Sequence, residues 1–270
     1  MRIILYPIGG LANRMRAIDS LLNYARKRDS ISVWWLKDSG LNSSFISIFK
    51  PVSFIKDKVL SERMRKFMRL YDKKNKKLIR YLKLLECLRI FIFLDEHNCL
   101  DKSKLNKAHQ CLFCFIRTWE DFYPKETFHN EIFQIKNQLR LKQELSKIDA
   151  NTVGVHIRRT DNVWSIENSP LELFELKMKQ EINLNSKANF YLCSDDDEVK
   201  HFFQNNYWQD IVKMPNGQIS RDSEDGIIQA ACEMYALANT QKIIGSYWSS
   251  FGEIAARLGN IDIEICVKKS

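Results

Sequence analysis

Two adjacent arginines, Arg158 and Arg159, follow the apolar run TVGVHI and precede Thr160 and Asp161. Paired guanidiniums at the end of a strand are costly to place unless something anionic meets them. Each offers a planar fork of donors that suits phosphate oxygens bidentately. Neighbours on a strand point to opposite faces, so one arginine can reach a ligand. The other can pair with Asp161 or a backbone carbonyl and hold the loop. A plain surface pair at a loop start is the competing reading. A second polar group, Ser194, Asp195, Asp196 and Asp197, follows the run NFYLC. It can cap a helix, or it can accept bonds from a base or a ribose hydroxyl. It also has the look of an acidic metal site, but no His or further acid is placed as an evident partner and a helical pattern begins at once. The third group is Ser246, Tyr247, Trp248, Ser249, Ser250 and Phe251, after KIIG. Hydroxyls and backbone N–H groups at a helix start form an anion site, unless they serve only as a cap. Near the N-terminus, Gly9 and Gly10 precede Asn13 and Arg14. The third glycine of a GxGxxG fingerprint is missing, but two suffice for a close backbone approach.

These groups need strands to carry them. Residues 2–6 form a short apolar strand, and residues 13–27 carry Met15, Ile18, Leu22 and Tyr24 at helical spacing. A second strand at 32–36 completes a βαβ opening. Two helices are expected in the basic stretch near 60–90, strands near 89–94 and 111–117, and one helix over about 130–146. After Asp149 the alternation is regular. Strands are expected at 152–157, 189–193, 211–212, 242–245 and 262–267, with helices at about 170–182, 196–204, 223–238 and 250–258. Strands separated by helices indicate an open parallel sheet, and ligands of such sheets sit beyond the carboxyl ends of the strands. The polar stretch 147–151 sets the expected boundary between residues 1–148 and 149–270. The expected class is α/β, two Rossmann-like halves facing across a cleft.

The 270 residues are 45% hydrophobic and 28% charged, which excludes a disordered chain. The opening MRIILYPIGGLANRM is too short in its apolar run for a secretory signal, and no stretch approaches a membrane span, so a cytoplasmic protein is expected. The seven cysteines are scattered and suit reduced thiols; Cys111 and Cys114, a lone CxxC in an apolar run, lack the second pair a zinc site needs. The net charge of +9 is concentrated: residues 62–89 hold eleven Lys or Arg against three Asp or Glu. Phe67, Leu70, Leu78, Tyr81, Leu82 and Leu85 recur there at helix-like intervals. A basic amphipathic surface on anionic lipid, spanning 63–83, is one reading and a solvated helical face the other. Nucleic acid is not expected, because no interleaved aromatic-basic motif accompanies the charge.

Together GGLANRMRAI at the start, HIRRTDN at 156–162, SDDDEV at 194–199 and GSYWSSFGEIA at 245–255 resemble the α1,2-, α1,6- and protein O-fucosyltransferase superfamily, with its HxRRxD motif. The resemblance implies a GT-B type fold, GDP-fucose as donor, inversion at the fucose carbon, a glycan acceptor and no metal or other cofactor. It assigns the donor site to Gly9, Gly10, Asn13, Arg14, His156, Arg158, Arg159, Asp161, Asp195, Glu233, Ser249, Ser250 and Phe251. Arg158 meets the donor phosphate, and Glu233 corresponds to an acidic residue contacting the nucleotide. Some members carry a Glu soon after HxRRxD, and Glu167 stands nearest that place, one residue off. An inverting transfer needs a carboxylate or His to take the acceptor's proton. Glu167 is the first candidate, with Asp19, Glu120 and Asp121 behind it. A different nucleotide sugar on the same scaffold, or a non-catalytic nucleotide- or glycan-binding module, are the alternatives. A lipid-linked acceptor at the inner membrane face fits the basic segment.

Overall fold

A computed structural model describes residues 1–204, 208–217, 220 and 222–268. The chain divides into two compact units, Met1–Gln134 and Ile135–Ser270, each built on a five-stranded, all-parallel sheet.

In the first unit the order along the chain is β1 (Arg2–Pro7), α1 (Leu11–Tyr24), β2 (Ser30–Leu36), α2 (Phe45–Ile48), β3 (Ile55–Lys58), α3 (Glu62–Asp72), α4 (Lys76–Cys87), β4 (Phe91–Leu94), α5 (Lys102–Ala108) and β5 (Phe113–Thr118). The sheet order is β3-β2-β1-β5-β4. The winding direction therefore reverses between β1 and β5, which leaves a crevice at their carboxyl ends. Side chains alternate across β1. Ile4 and Tyr6 pack with Phe93, Phe115, Phe67 and Met68, so α3 covers that face. The Phe67 and Tyr71 rings lie 5.4 and 4.4 Å from Phe93. Phe67 and Leu82 are thus committed to the interior, unlike the lipid-facing reading of the basic segment. The apolar residues left exposed on α4 and just after it include Tyr81, Leu84 and Leu88.

The second unit runs α6 (Gln138–Leu145), β6 (Thr152–Ile157), α7 (Val163–Asn168), α8 (Leu171–Leu184), β7 (Asn189–Ser194), α9 (Asp197–Gln204), β8 (Val212–Lys213), α10 (Glu224–Leu237), β9 (Ile243–Ser246), α11 (Ser250–Gly259) and β10 (Ile263–Cys266). Its sheet order is β10-β9-β6-β7-β8, with the reversal between β6 and β9. Strand β6 is buried at every position, as the centre of a parallel sheet must be. Val153, Val155 and Ile157 face Phe174 and Met178 of α8 and Phe203 of α9, while His156 faces α11.

The expected single helix over 130–146 is two pieces, a 3-10 turn at Asn130–Phe133 and then α6. Asn137 interrupts them because its side chain caps α6 by accepting from the Arg140 N–H at 3.1 Å. Helix α6 packs on α10 and so lies with the second sheet, although the polar stretch at 147–151 follows it.

Candidate functional site

The reversal point of the second sheet gathers the three polar groups singled out in its sequence. Arg158 leaves the carboxyl end of β6, and its backbone N–H donates to Ser246 Oγ at the end of β9 at 2.9 Å. Asp195, just past β7, accepts from the Arg159 N–H at 2.8 Å and from the Thr160 hydroxyl at 2.5 Å. It also accepts from the Thr160 N–H at 3.3 Å and forms an ion pair with Arg158 at 2.6 Å. Burial would raise the Asp195 pKa; the Arg158 charge and the loop's donors outweigh it and hold the carboxylate below its ordinary value. Asp195 therefore shapes the arginine loop itself. Asp161, exposed, forms an ion pair with Arg158 on the outer side.

The two arginines divide their work. Arg159 turns back to α7 and donates to the Ile166 carbonyl at 3.1 Å and the Ser169 carbonyl at 2.7 Å. It holds the loop, as one of the pair was expected to. Arg158 stays among carboxylates at the open end of the sheet, where an incoming anion would compete for it. Helix α7 was not foreseen, being one and a half turns long and mostly exposed. Asn162 caps it at 3.1 Å and also donates to the Trp248 carbonyl at 2.7 Å. Glu167 sits on α7, exposed.

Opposite the loop, α11 begins without a side-chain cap, because the buried Ser249 hydroxyl does not turn back onto the helix. The plain-cap reading of this serine run thus fails for Ser249. Its first N–H groups present the positive end of the helix dipole. Phe251 stacks on His156 with ring centres 4.8 Å apart. Burial pushes the His156 pKa down to about 4, with Arg158 adding to the depression and Asp195 opposing it. The ring is neutral at physiological pH, and its Nδ1 has no hydrogen-bond partner. Two features escaped the sequence. Trp248 adopts φ +55 yet is 67% exposed, a strained backbone of a kind that clusters at ligand sites. Ser169 ties the base of the loop together, donating to the Cys266 carbonyl at 2.5 Å and accepting from the Tyr247 N–H at 2.8 Å. A hydroxyl just before a proline gives no distinguishing pattern in one sequence.

Glu233 has no exposed surface. Gln229 donates to it at 3.0 Å and also to Glu144 at 3.0 Å. Burial first, and Glu144 after it, push the Glu233 pKa up to about 8.

In the first unit, Gly9 holds φ +80 at the carboxyl end of β1, and a side chain there would press on Asn13 at 3.0 Å. Arg14 is fully buried. It donates to the Gly9 carbonyl at 2.9 Å, the Leu36 carbonyl at 2.5 Å and Asp38 at 2.7 Å, with its guanidinium 5.0 Å from the Trp35 ring centre. All this fastens the glycine turn to the end of β2. Gly10 borders open space, and Asn13 Oδ1 is buried without a partner. Of the other candidate bases, Asp19 is buried and accepts from the His129 backbone N–H at 2.9 Å and ring at 2.8 Å. Asp121 accepts from Ser20 at 2.6 Å, and Glu120 lies 4.0 Å from Arg16. Cys111 and Cys114 are buried thiols, both with pKa raised by burial.

Solved structures share this pair of sheets over nearly the whole chain. A variant of Arabidopsis thaliana FUT1 in complex with GDP superposes with TM-score 0.61 at 15% identity, over 100% of this chain and 70% of that one. The NodZ α1,6-fucosyltransferase soaked with GDP-fucose gives 0.59 at 17% identity, over 95% and 92%. POFUT1 in complex with GDP gives 0.53 at 9% identity, over 98% of each. The chain has the fold of the GT-B fucosyltransferases. No family model and no curated protein matches its sequence. The fold class expected from the sequence stands. Among the described residues no helix is long and apolar enough to cross a membrane.

Proposed function

We propose that the chain is an inverting, metal-independent glycosyltransferase that moves fucose from GDP-fucose to a hydroxyl of a glycan. The observation that carries this reading is what meets at the reversal point of β6 and β9: Arg158 leaves the end of β6 with its backbone N–H bonded to Ser246 at the end of β9, and β9 leads into the uncapped start of α11. Negative charge grows on the departing GDP, and a guanidinium with oriented backbone N–H groups stabilises it without reorganising. The relatives of this fold were solved with GDP or GDP-fucose, which favours a guanosine diphosphate donor. The second unit then serves the donor, and the first, with its basic helical pair, serves the acceptor. Glu167 is proposed as the base, because it is an exposed carboxylate on the helix that Arg159 fastens to the arginine loop. The acceptor is taken to be a lipid-linked glycan at the cytoplasmic face of the membrane, with α3 and α4 toward anionic lipid.

Binding calorimetry with a panel of GDP- and UDP-sugars tests the donor. GDP-fucose should bind tightest and Arg158→Ala should remove most of that affinity. Tighter binding of a UDP-sugar would replace the donor. Release of GDP that depends on added glycan would separate a transferase from a binding module.

A further inference from the structure

Beyond the carboxyl ends of β4 and β5, beside the turn joining α3 to α4, the first unit holds a cavity of about 770 Å³. Small-ligand sites occupy roughly 300–1,000 Å³. Its polar floor is largely pre-set. Asp95 accepts from the Tyr71 hydroxyl at 2.8 Å and from the Asn98 N–H at 2.8 Å. Asp72 grips Arg117 through contacts of 2.7 and 3.3 Å. Two buried atoms of this floor have no hydrogen-bond partner, Arg117 Nε and Glu96 Oε2. One is a donor and the other an acceptor, on side chains joined only by a long ion pair, Glu96 Oε2 lying 3.9 Å from Arg117 Nη2. A hydroxyl, which both donates and accepts, is the group that matches such a pair.

The mouth is different. Lys74, Lys76 and Arg80 line it, all exposed, and none makes an ion pair among the described residues. The acids nearby are already engaged by Arg117, by Tyr71 or by backbone N–H groups, so these three cations are uncompensated. Converging cations of that number suit a phosphate better than a single carboxylate. Lys74 holds φ +51, a backbone position that favours glycine.

We propose that this cavity is the acceptor subsite and that it takes a saccharide carrying a phosphate. The sugar hydroxyls meet Glu96 and Arg117, and the phosphate meets Lys74, Lys76 and Arg80. The word acceptor rests on the transferase reading above; the ligand chemistry rests on the cavity alone.

The test is calorimetry of the full chain with a hexose 1-phosphate, the free hexose, a hexuronate and inorganic phosphate. The hexose 1-phosphate should bind at least tenfold more tightly than any of the other three. The combined variant Lys74→Gln, Lys76→Gln, Arg80→Gln should lose at least tenfold of that affinity. Glu96→Gln should weaken the hexose 1-phosphate and leave inorganic phosphate unchanged. Equal binding by variant and wild type overturns the proposal. So does inorganic phosphate or hexuronate binding as tightly as the hexose 1-phosphate, or no hexose 1-phosphate binding in a protein that still binds GDP. Loss of GDP binding with hexose 1-phosphate binding retained overturns the donor reading instead.

Discussion

Arg158 and Arg159 share a motif but not an environment, and their substitutions should therefore fail differently. Arg158 meets Asp161 and Asp195 at the open end of the sheet, whereas Arg159 is spent on two carbonyls that close α7. Arg158→Ala is expected to cost transfer a hundredfold or more, about 3 kcal/mol, with a small change in melting temperature. Arg159→Ala removes charge-assisted bonds to the backbone, each worth roughly 1.5–3 kcal/mol, so it should lower the melting temperature clearly. Thermal unfolding and donor calorimetry on both variants check this, and the reverse ranking would exchange their roles. The acidic run behind them is similarly accounted for. Asp195 holds the loop, Asp196 accepts from the Glu198 N–H at 2.8 Å, and Asp197 pairs with Lys200 at 2.8 Å. Activity should accordingly survive excess EDTA; activity lost to EDTA and restored by Mn²⁺ would make the run a metal site. Glu233 supplies a pH dependence with a definite sign. Its folded pKa of about 8 lies above the ordinary carboxyl value of 4.5. The unfolded chain therefore releases this proton first, and stability falls as pH rises from about 4.5 to about 8. At about 1.4 kcal/mol per unit the span is on the order of 5 kcal/mol. Glu233→Gln should flatten it, melting higher than wild type at pH 8 but not at pH 4.5. Parallel melting curves across that range would mean the carboxyl is already ionised.

At the scale of elements, the structure separates what a single sequence displays from what it conceals. Strands β1, β6, β7 and β9 are continuous apolar runs because both of their faces are covered, and that signal needs no partner to be seen. Strand β3 was not foreseen, since IKDK buries only Ile55 at the edge of its sheet and charged residues on an edge are how sheets avoid pairing further. Helices α2 and α7 were missed because four and six residues cannot show a 3.6-residue period. The arginine loop could be placed from the strand that leads to it, but the division of work between its two arginines could not. That division depends on carbonyls contributed by an unforeseen helix. The end of α3 gives this scale its own test. Lys74 takes the left-handed position after the helix, its N–H bonding Tyr71 O at 2.8 Å while the Asn75 N–H bonds Leu70 O at 3.0 Å. That is the geometry in which glycine normally stands. Lys74 is exposed and unpaired among the described residues, so Lys74→Gly should raise stability by about 1 kcal/mol. An unchanged or lower denaturation midpoint would show that the lysine compensates its backbone strain in some other way.

For the molecule as a whole, the decisive quantity is where its charge lies. Residues 62–89 carry eleven cations and three anions, eight of the nine net charges in the chain. They do so on two helices that commit unequally to the sheet, α3 through Met64, Phe67, Met68 and Tyr71 and α4 through Leu82. Helix α4 has no fully buried residue. Tyr81 and Leu84 on it, and Leu88 just after it, are 58%, 54% and 58% exposed at spacings of three and four, so they fall on one side. Lys77 and Arg80 lie one turn before them in sequence. Apolar side chains beside unpaired cations suit an anionic bilayer surface, where each Lys or Arg contributes on the order of 1 kcal/mol and the apolar groups add burial. The cationic part must weaken with salt, because the screening length is already about 8 Å at physiological ionic strength. The full chain should therefore sediment with anionic vesicles at low salt and stay in solution with neutral ones. Tyr81→Ser, Leu84→Ser and Leu88→Ser together should lower vesicle affinity at least tenfold. These side chains lie away from the arginine loop in sequence and support no core, so GDP-fucose affinity and melting temperature should hold. If the triple variant sediments as wild type does, lipid is not meeting α4 through these residues. If neither sediments at low salt, the charge on α3 and α4 serves only the solvent and the cavity beside their turn.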